Sequence, residues 1–171
     1  MRALQHFLRL ALLAMLTGCA GYHVGSVGGT LIPAGKSLEI LPFNNQTLQP
    51  RLGDALTQAT RERIHTDGSY RLATGEAADV VVSGTIVRYG REGLNFLSTD
   101  TATPENYRVG LVVHIVVRDR VSGKLLLEKD LKPHTLVHIG TDLASAERQS
   151  LPLMAEDFAR DLISLLSESS W

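Results

Sequence analysis

The chain has 171 residues, of which 44% are hydrophobic and 20% charged, with a mean hydropathy of +0.04 and a formal net charge of −1. Such a balance offers no basic surplus for nucleic-acid phosphates. One cysteine in the whole chain excludes an internal disulfide or a thiolate metal cluster.

Met1 to Ala11 carries Arg2 and Arg9 and no acidic residue, and Leu10 to Leu16 is a short apolar run, the order of an export signal. As a helix the run would cover roughly 10 Å against the roughly 30 Å of a bilayer core, so it is too short to span. The stretch Leu16-Thr17-Gly18-Cys19 resembles the bacterial lipobox. The resemblance implies cleavage before Cys19, a diacylglyceryl group on its thiol and acylation of the new amino terminus, and Ala20 beyond it is compatible with transfer to the outer membrane. Two or three acyl chains would anchor the protein for its lifetime, where a single one binds marginally. An ordinary secretory signal that happens to precede a cysteine is the alternative. Residues 1–18 are accordingly expected to be signal and 19–36 a lipidated, glycine-rich tether. Residues 37–171 form one domain, because the 153 residues left after cleavage can bury roughly 68–70% of their unfolded surface. With Arg2 and Arg9 removed, 15 basic residues face 18 acidic ones.

Gly35-Lys36-Ser37 looks like the end of a phosphate-binding loop, but position 30 is Thr30 and a strand follows instead of a helix. That strand runs from Ser37 to Phe43 and breaks at Pro42-Phe43-Asn44-Asn45-Gln46-Thr47. From Pro50 to about Thr66, Leu52, Ala55, Leu56, Ala59 and Ile64 share one helical face, closed by Asp67-Gly68. Tyr70 to Ala73 is a brief extended piece and Gly75 to Asp79 a turn. The β-branched run from Val80 to Tyr89 predicts a central strand. Gly90 to Asn106 supports two readings, a long irregular segment with a contact-forming apolar half, or a continuation of the strand to Phe96. Tyr107, Val109, Leu111, Val113, Ile115 and Val117 then alternate with mostly polar neighbours over twelve residues, which predicts a strand with one apolar face buried.

Ser122-Gly123 predicts a hairpin turn. Beyond it, Leu125, Leu127, Leu131, Val137 and Ile139 extend the apolar face, while Pro133 makes this strand an edge or bends it. The final helix carries Leu151, Met154, Ala155, Phe158, Ala159, Leu162, Ile163 and Leu166 on one face. It begins at Ser150 with Pro152 in its first turn, or at about Leu143 with a kink before Pro152. These elements make an α+β fold, a two-layer sandwich of about four strands with two helices on one face. The outer sheet face, where Val112, Val116, Leu126 and Leu136 stand among charged residues and histidines, is the expected docking face for a protein partner. A solvated face with stray apolar residues is the plainer alternative.

Motifs for catalysis are missing: there is no G-x-S-x-G, no H-E-x-x-H and no thiol beyond Cys19. His134 and His138, four residues apart on an extended segment, stand roughly 13 Å from one another and cannot share an ion. The reading is therefore a protein that is not an enzyme and takes no cofactor or metal.

Along the mature chain, Gly21-Tyr22-His23-Val24-Gly25, Leu41-Pro42-Phe43-Asn44-Asn45-Gln46-Thr47, Ala78-Asp79-Val80, Glu105-Asn106-Tyr107-Arg108, Ser122-Gly123-Lys124 and the segment from Ala155 to Trp171 appear in an order that resembles the LptE family of lipopolysaccharide-assembly lipoproteins. The resemblance implies a plug inside the lumen of the outer-membrane β-barrel that inserts lipopolysaccharide, with lipopolysaccharide itself as a further contact. Regulatory lipoproteins that activate peptidoglycan synthases share the Pro-Phe-Asn and Ala-Asp-strand features. They reach their partners on long linkers, whereas fewer than twenty residues separate Cys19 from the first strand here, a coil of roughly 25 Å. For an anionic lipid, Arg118, Arg120 and Lys124 at the hairpin are the candidate contacts. Keeping an exposed turn soluble is the competing role for the same charges.

Overall fold

The computed structural model describes residues 31–97, 100–138 and 143–168. The signal and Cys19 lie outside the described residues, as does Ile139. Seven strands form one mixed sheet: β1 (Ser37–Ile40), β2 (Asn44–Asn45), β3 (Arg71–Leu72), β4 (Val80–Leu97), β5 (Asp100–Asp119), β6 (Leu125–Leu131) and β7 (His134–His138). The α-helices among the described residues are α1 (Leu52–Asp67) and α2 (Leu143–Ser167). Strand order is β3-β1-β4-β5-β6, with β2 continuing beside β4 and β7 continuing beside β5. β1 and β2 run parallel to β4, β3 runs parallel to β1, and β4, β5 and the β6/β7 pair are antiparallel.

The expected sheet of about four strands is thus corrected to seven, for a local reason. Pro42 separates β1 from β2, and Lys132-Pro133 separates β6 from β7, so two of the expected strands each appear as two. Arg71–Leu72 adds a short parallel edge. Across the Pro133 break the Leu111 N–H still donates to the Pro133 carbonyl at 3.0 Å, so the β6/β7 edge follows β5 along most of its length.

Alternation on β5 places Val109, Leu111, Val113, Ile115 and Val117 in the core, where Val80, Val82 and Ile86 of β4 meet them. Both helices cover this face. Met154, Ala155, Phe158, Leu162, Ile163 and Leu166 of α2 interlock with Leu52, Leu56 and Ile64 of α1. The buried side of α1 also includes Gly53, Thr57 and Thr60, which hydrophobicity alone does not mark. The Thr57 and Thr60 hydroxyls donate to the carbonyls of Gly53 (2.6 Å) and Leu56 (2.7 Å), so they enter the interior satisfied.

The described residues of the segment 90–106 form a ladder, with β4 and β5 pairing from Val80↔Asp119 out to Leu97↔Asp100. Of the two readings offered for it, the continued strand holds. Register shifts at Leu94 and between Asn95, Phe96 and Leu97 account for its weak periodicity. The longer form of the last helix also holds. Arg91 of β4 makes a 2.7 Å ion pair with Glu147, a buried residue of that helix's first turns, which anchors the stretch before Pro152. Two residues face opposite to expectation because of a bulge between Val117 and Arg118: Leu126 turns into the core and Leu125 pairs outward against Arg118. Upstream of β1, Ile32 is 1% exposed and the Leu31 N–H donates to the Glu168 carbonyl at 3.0 Å, so the packed unit takes in part of the stretch read as tether.

Candidate functional site

Two of the sequence motifs prove to be joints of the fold. The Phe43 N–H donates to the Thr57 hydroxyl (2.9 Å), and the Phe43 ring stands edge-on to Phe158 with centroids 5.6 Å apart. Gly84 beneath it has no side chain to lift it; a Cβ there would lie 3.0 Å from that ring. The Asp79 carboxylate accepts from the Ser37 N–H (2.9 Å), the Ser37 hydroxyl (2.7 Å) and Lys36 Nζ (3.1 Å), tying β1 to the start of β4. These bonds, with the Ser37 N–H the strongest, hold its pKa down at about 2. Asp79 is a clasp.

At the hairpin end, the Asp119 carboxylate accepts from the Ser122 N–H (2.8 Å) and hydroxyl (2.7 Å), and Gly123 takes φ 68° to close the turn. Those Ser122 bonds lower the Asp119 pKa. The turn brings Arg118, Arg120 and Lys124 to one end of the sheet, but they are not equivalent. Arg120 forms an ion pair with Glu39, and Arg118 donates to the Gly123 carbonyl at 3.3 Å. Lys124 is exposed. With Arg120 neutralised and the Asp119 carboxylate alongside, the local positive field is weaker than three cations in sequence imply.

Among the described residues no element covers the outer face of the sheet, which is mixed, and Leu136 on it is 65% exposed. His114 stands between two acids of β6, with Nδ1 2.8 Å from Asp130 and Nε2 3.2 Å from Glu128. Only the imidazolium can donate to both carboxylates, so its pKa is raised, the Asp130 hydrogen bond contributing most. His134 and His138 flank Leu136 on β7, and among the described residues no three His, Asp or Glu side chains converge on a metal position.

Further along this face, Gly90 pairs with Gly110, and Gly110 pairs with His134. The missing side chains open a groove of about 540 Å³. Arg88 and Lys132 border it on one side, and Arg108 and Glu92, joined at 3.2 Å, on the other. Sequence reading overlooks this group. Arg88 and Lys132 are 44 positions apart, and only the pairing register brings them to one trough; the glycines and basic residues were visible, but not their opposition. Beneath the sheet, the Arg91 guanidinium lies 5.8 Å from the Tyr89 ring centroid while paired to Glu147. Burial pushes the Tyr89 phenol up, and the Glu147 charge adds to it.

A family model described as LptE, Lipopolysaccharide-assembly, matches residues 35–166. No curated protein matches the sequence. Among solved structures, a protein from Xanthomonas campestris superposes with a TM-score of 0.59 at 10% identity, covering 84% of this chain and 90% of that one. A minor lipoprotein from Acinetobacter baumannii gives 0.54 at 16% identity, covering 77% and 92%. PelC from Paraburkholderia phytofirmans, a dodecamer in its crystals, gives 0.55 at 16% identity, covering 84% and 95%. At such identities the likeness is one of fold.

Proposed function

The chain belongs to the LptE lipopolysaccharide-assembly family, and on that premise we propose that it is a lipid-anchored outer-membrane protein that partners and plugs the β-barrel inserting lipopolysaccharide. The observation that carries this reading is the extent of the family match, which runs from the turn before β1 to the end of α2 and so takes in both layers of the domain. The role is non-enzymatic: the domain would support barrel assembly and delivery of lipopolysaccharide by contact.

Two physical features support work at the membrane. The packed unit begins about a dozen residues after Cys19, and a glycine-rich coil of that length averages roughly 20 Å from end to end. The uncovered outer face, bearing Leu136 among charged residues, also suits a wet, polar-rimmed contact with a barrel lumen. Of the hairpin cations, Arg120 is occupied by Glu39, so the lipid-contact role falls to Arg118 and Lys124, and keeping the turn soluble remains the competing role for both.

Affinity purification of the tagged full-length chain from its own outer membrane tests the assignment. The expected result is stoichiometric recovery of an outer-membrane β-barrel. Recovery of a peptidoglycan synthase with no barrel would replace the reading with that of a synthase-activating lipoprotein on the same fold.

A further inference from the structure

Three rows of side chains cross the outer face where β4, β5 and β7 run side by side. The middle row is Gly90, Gly110 and His134. One flanking row holds Arg88 opposite Val112, with Lys132 at the β6/β7 break; the other holds Glu92 opposite Arg108, which in turn faces Leu136. The flanking rows are four residues apart along each strand, or about 13 Å at 3.3 Å per residue. Two glycines in register therefore leave a trough as wide as a sugar-phosphate group, floored by backbone.

Its charges are unbalanced. Glu92 is the single carboxylate lining the trough, and Arg108 takes it at 3.2 Å; the Arg91 guanidinium is held by Glu147. Arg88 and Lys132 are exposed and have no counter-charge among the described residues. A planar guanidinium and an ammonium at the two ends of one flanking row, with the His134 ring in the middle row beside them, form a donor set for phosphate oxygens. Next to these donors stand exposed apolar groups: the bulged Val87 is 46% exposed and Leu136 65%. The walls are thus cationic, with two exposed apolar groups just outside the lining.

We propose that this trough binds a phosphate group carried by an anionic amphiphile, with Arg88 and Lys132 as its principal contacts and Gly90 and Gly110 as the space it occupies. The proposal rests on the lipopolysaccharide-assembly reading for the class of ligand, a phosphorylated glycolipid. It assigns the contact to a different part of the sheet from the hairpin cations. A phosphate from any source shares the chemistry, and exposed Val87 and Leu136 beside the trough favour one borne by a lipid.

Full-length protein in mild detergent is titrated with lipid A, with the same lipid A enzymatically dephosphorylated, with phosphatidylglycerol and with inorganic phosphate as competitor. The variants are Arg88→Glu with Lys132→Glu, which reverses the charges, and Gly90→Leu, which fills the trough at a position where a Cβ meets nothing within 4 Å. Loss of two charge-assisted hydrogen bonds predicts at least about tenfold weaker lipid A binding by the charge-reversal variant. Gly90→Leu weakens it through volume alone, and raised salt narrows the gap between parent and charge-reversal variant. Dephosphorylation removes the parent's advantage. Displacement of lipid A by millimolar inorganic phosphate would identify the phosphate alone as sufficient; displacement by phosphatidylglycerol only would identify the lipid-borne group. Either result supports the site. Unchanged lipid A affinity in a charge-reversal variant with the parent's melting temperature overturns it, as does equal affinity of the parent for the dephosphorylated lipid. Barrel recovery is followed in parallel. A folded variant that loses the barrel but keeps lipid A binding assigns the trough to the protein interface and overturns the proposal. Absence of the barrel from the parent's own purification tells against the assembly reading and leaves the lipid A titration to stand by itself.

Discussion

Two ionisable residues give the protein opposite pH responses. Asp79 ionises more readily in the folded chain than in the unfolded one, at about 2 against 3.8, because Ser37 and Lys36 bind the carboxylate. Its stabilising contribution is therefore complete above about pH 4 and lost as pH falls toward 2. His114 is shifted upward by Asp130 and Glu128, so its contribution is present below the ordinary 6.5 and lost as pH rises through the raised value. Urea melts across pH 2 to 9 check both signs. Asp79→Asn should make the acid limb shallower, leaving the part that Asp119 contributes, and His114→Gln should flatten the alkaline limb, each leaving the other limb unchanged; matching profiles for Asp79→Asn and the parent below pH 4 would remove Asp79 from its role as clasp. At the same scale, Phe158 is fully buried against Phe43, and its truncation to alanine should cost about 3–5 kcal/mol. Asp157 on the far side of that helix pairs with exposed Arg160, and alanine there should stay within about 0.5 kcal/mol. Denaturation midpoints at constant m-value measure the difference.

Among the elements, α1 depends on a close approach that sequence periodicity does not register. Gly53 lies against the Phe43 backbone, where a Cβ would sit 2.4 Å from the Phe43 carbonyl oxygen. Alanine improves helix propensity by about 1 kcal/mol in an exposed helix. Here the overlap with backbone should outweigh that gain, so Gly53→Ala is expected to destabilise by about 1–3 kcal/mol. A rise in its denaturation midpoint would show that helix and strand can part without loss. α2 presents the reverse case: Pro152 withdraws an N–H from the helical ladder. The turns before it persist because Glu147 is held from the sheet by Arg91 and the Ser150 hydroxyl donates to the Glu147 carbonyl at 2.8 Å. A local breaker is overruled by a tertiary ion pair.

At the scale of the molecule, the described residues put one layer of helices on one sheet face and none on the other, and none of the described helices is long and apolar enough to cross a membrane. On the proposed reading, residence at the membrane would rest on lipidated Cys19. Cys19→Ser should leave the signal uncleaved or release the domain to the soluble fraction, and an unmodified Cys19 at a mature amino terminus in intact-mass spectra would refute lipidation. The amino-acid sequence by itself determined the faces: the β5 alternation, the α1 and α2 stripes and the burial of Phe158 follow from side-chain periods of two and 3.6, which are local properties of the backbone. It also carried the family, through motifs such as Pro42-Phe43-Asn44 and Ala78-Asp79 whose Phe43 and Asp79 hold the fold together. Tertiary structure alone decided what lies opposite what. The ladder out to Leu97 and Asp100, the inward turn of Leu126, the capture of Arg120 by Glu39 and the opposition of Gly90 to Gly110 all depend on strand register. Register is selected by the burial of a whole sheet face at once, through contacts between residues far apart in the chain, and a one-residue slip would have sent each of those side chains to the other side.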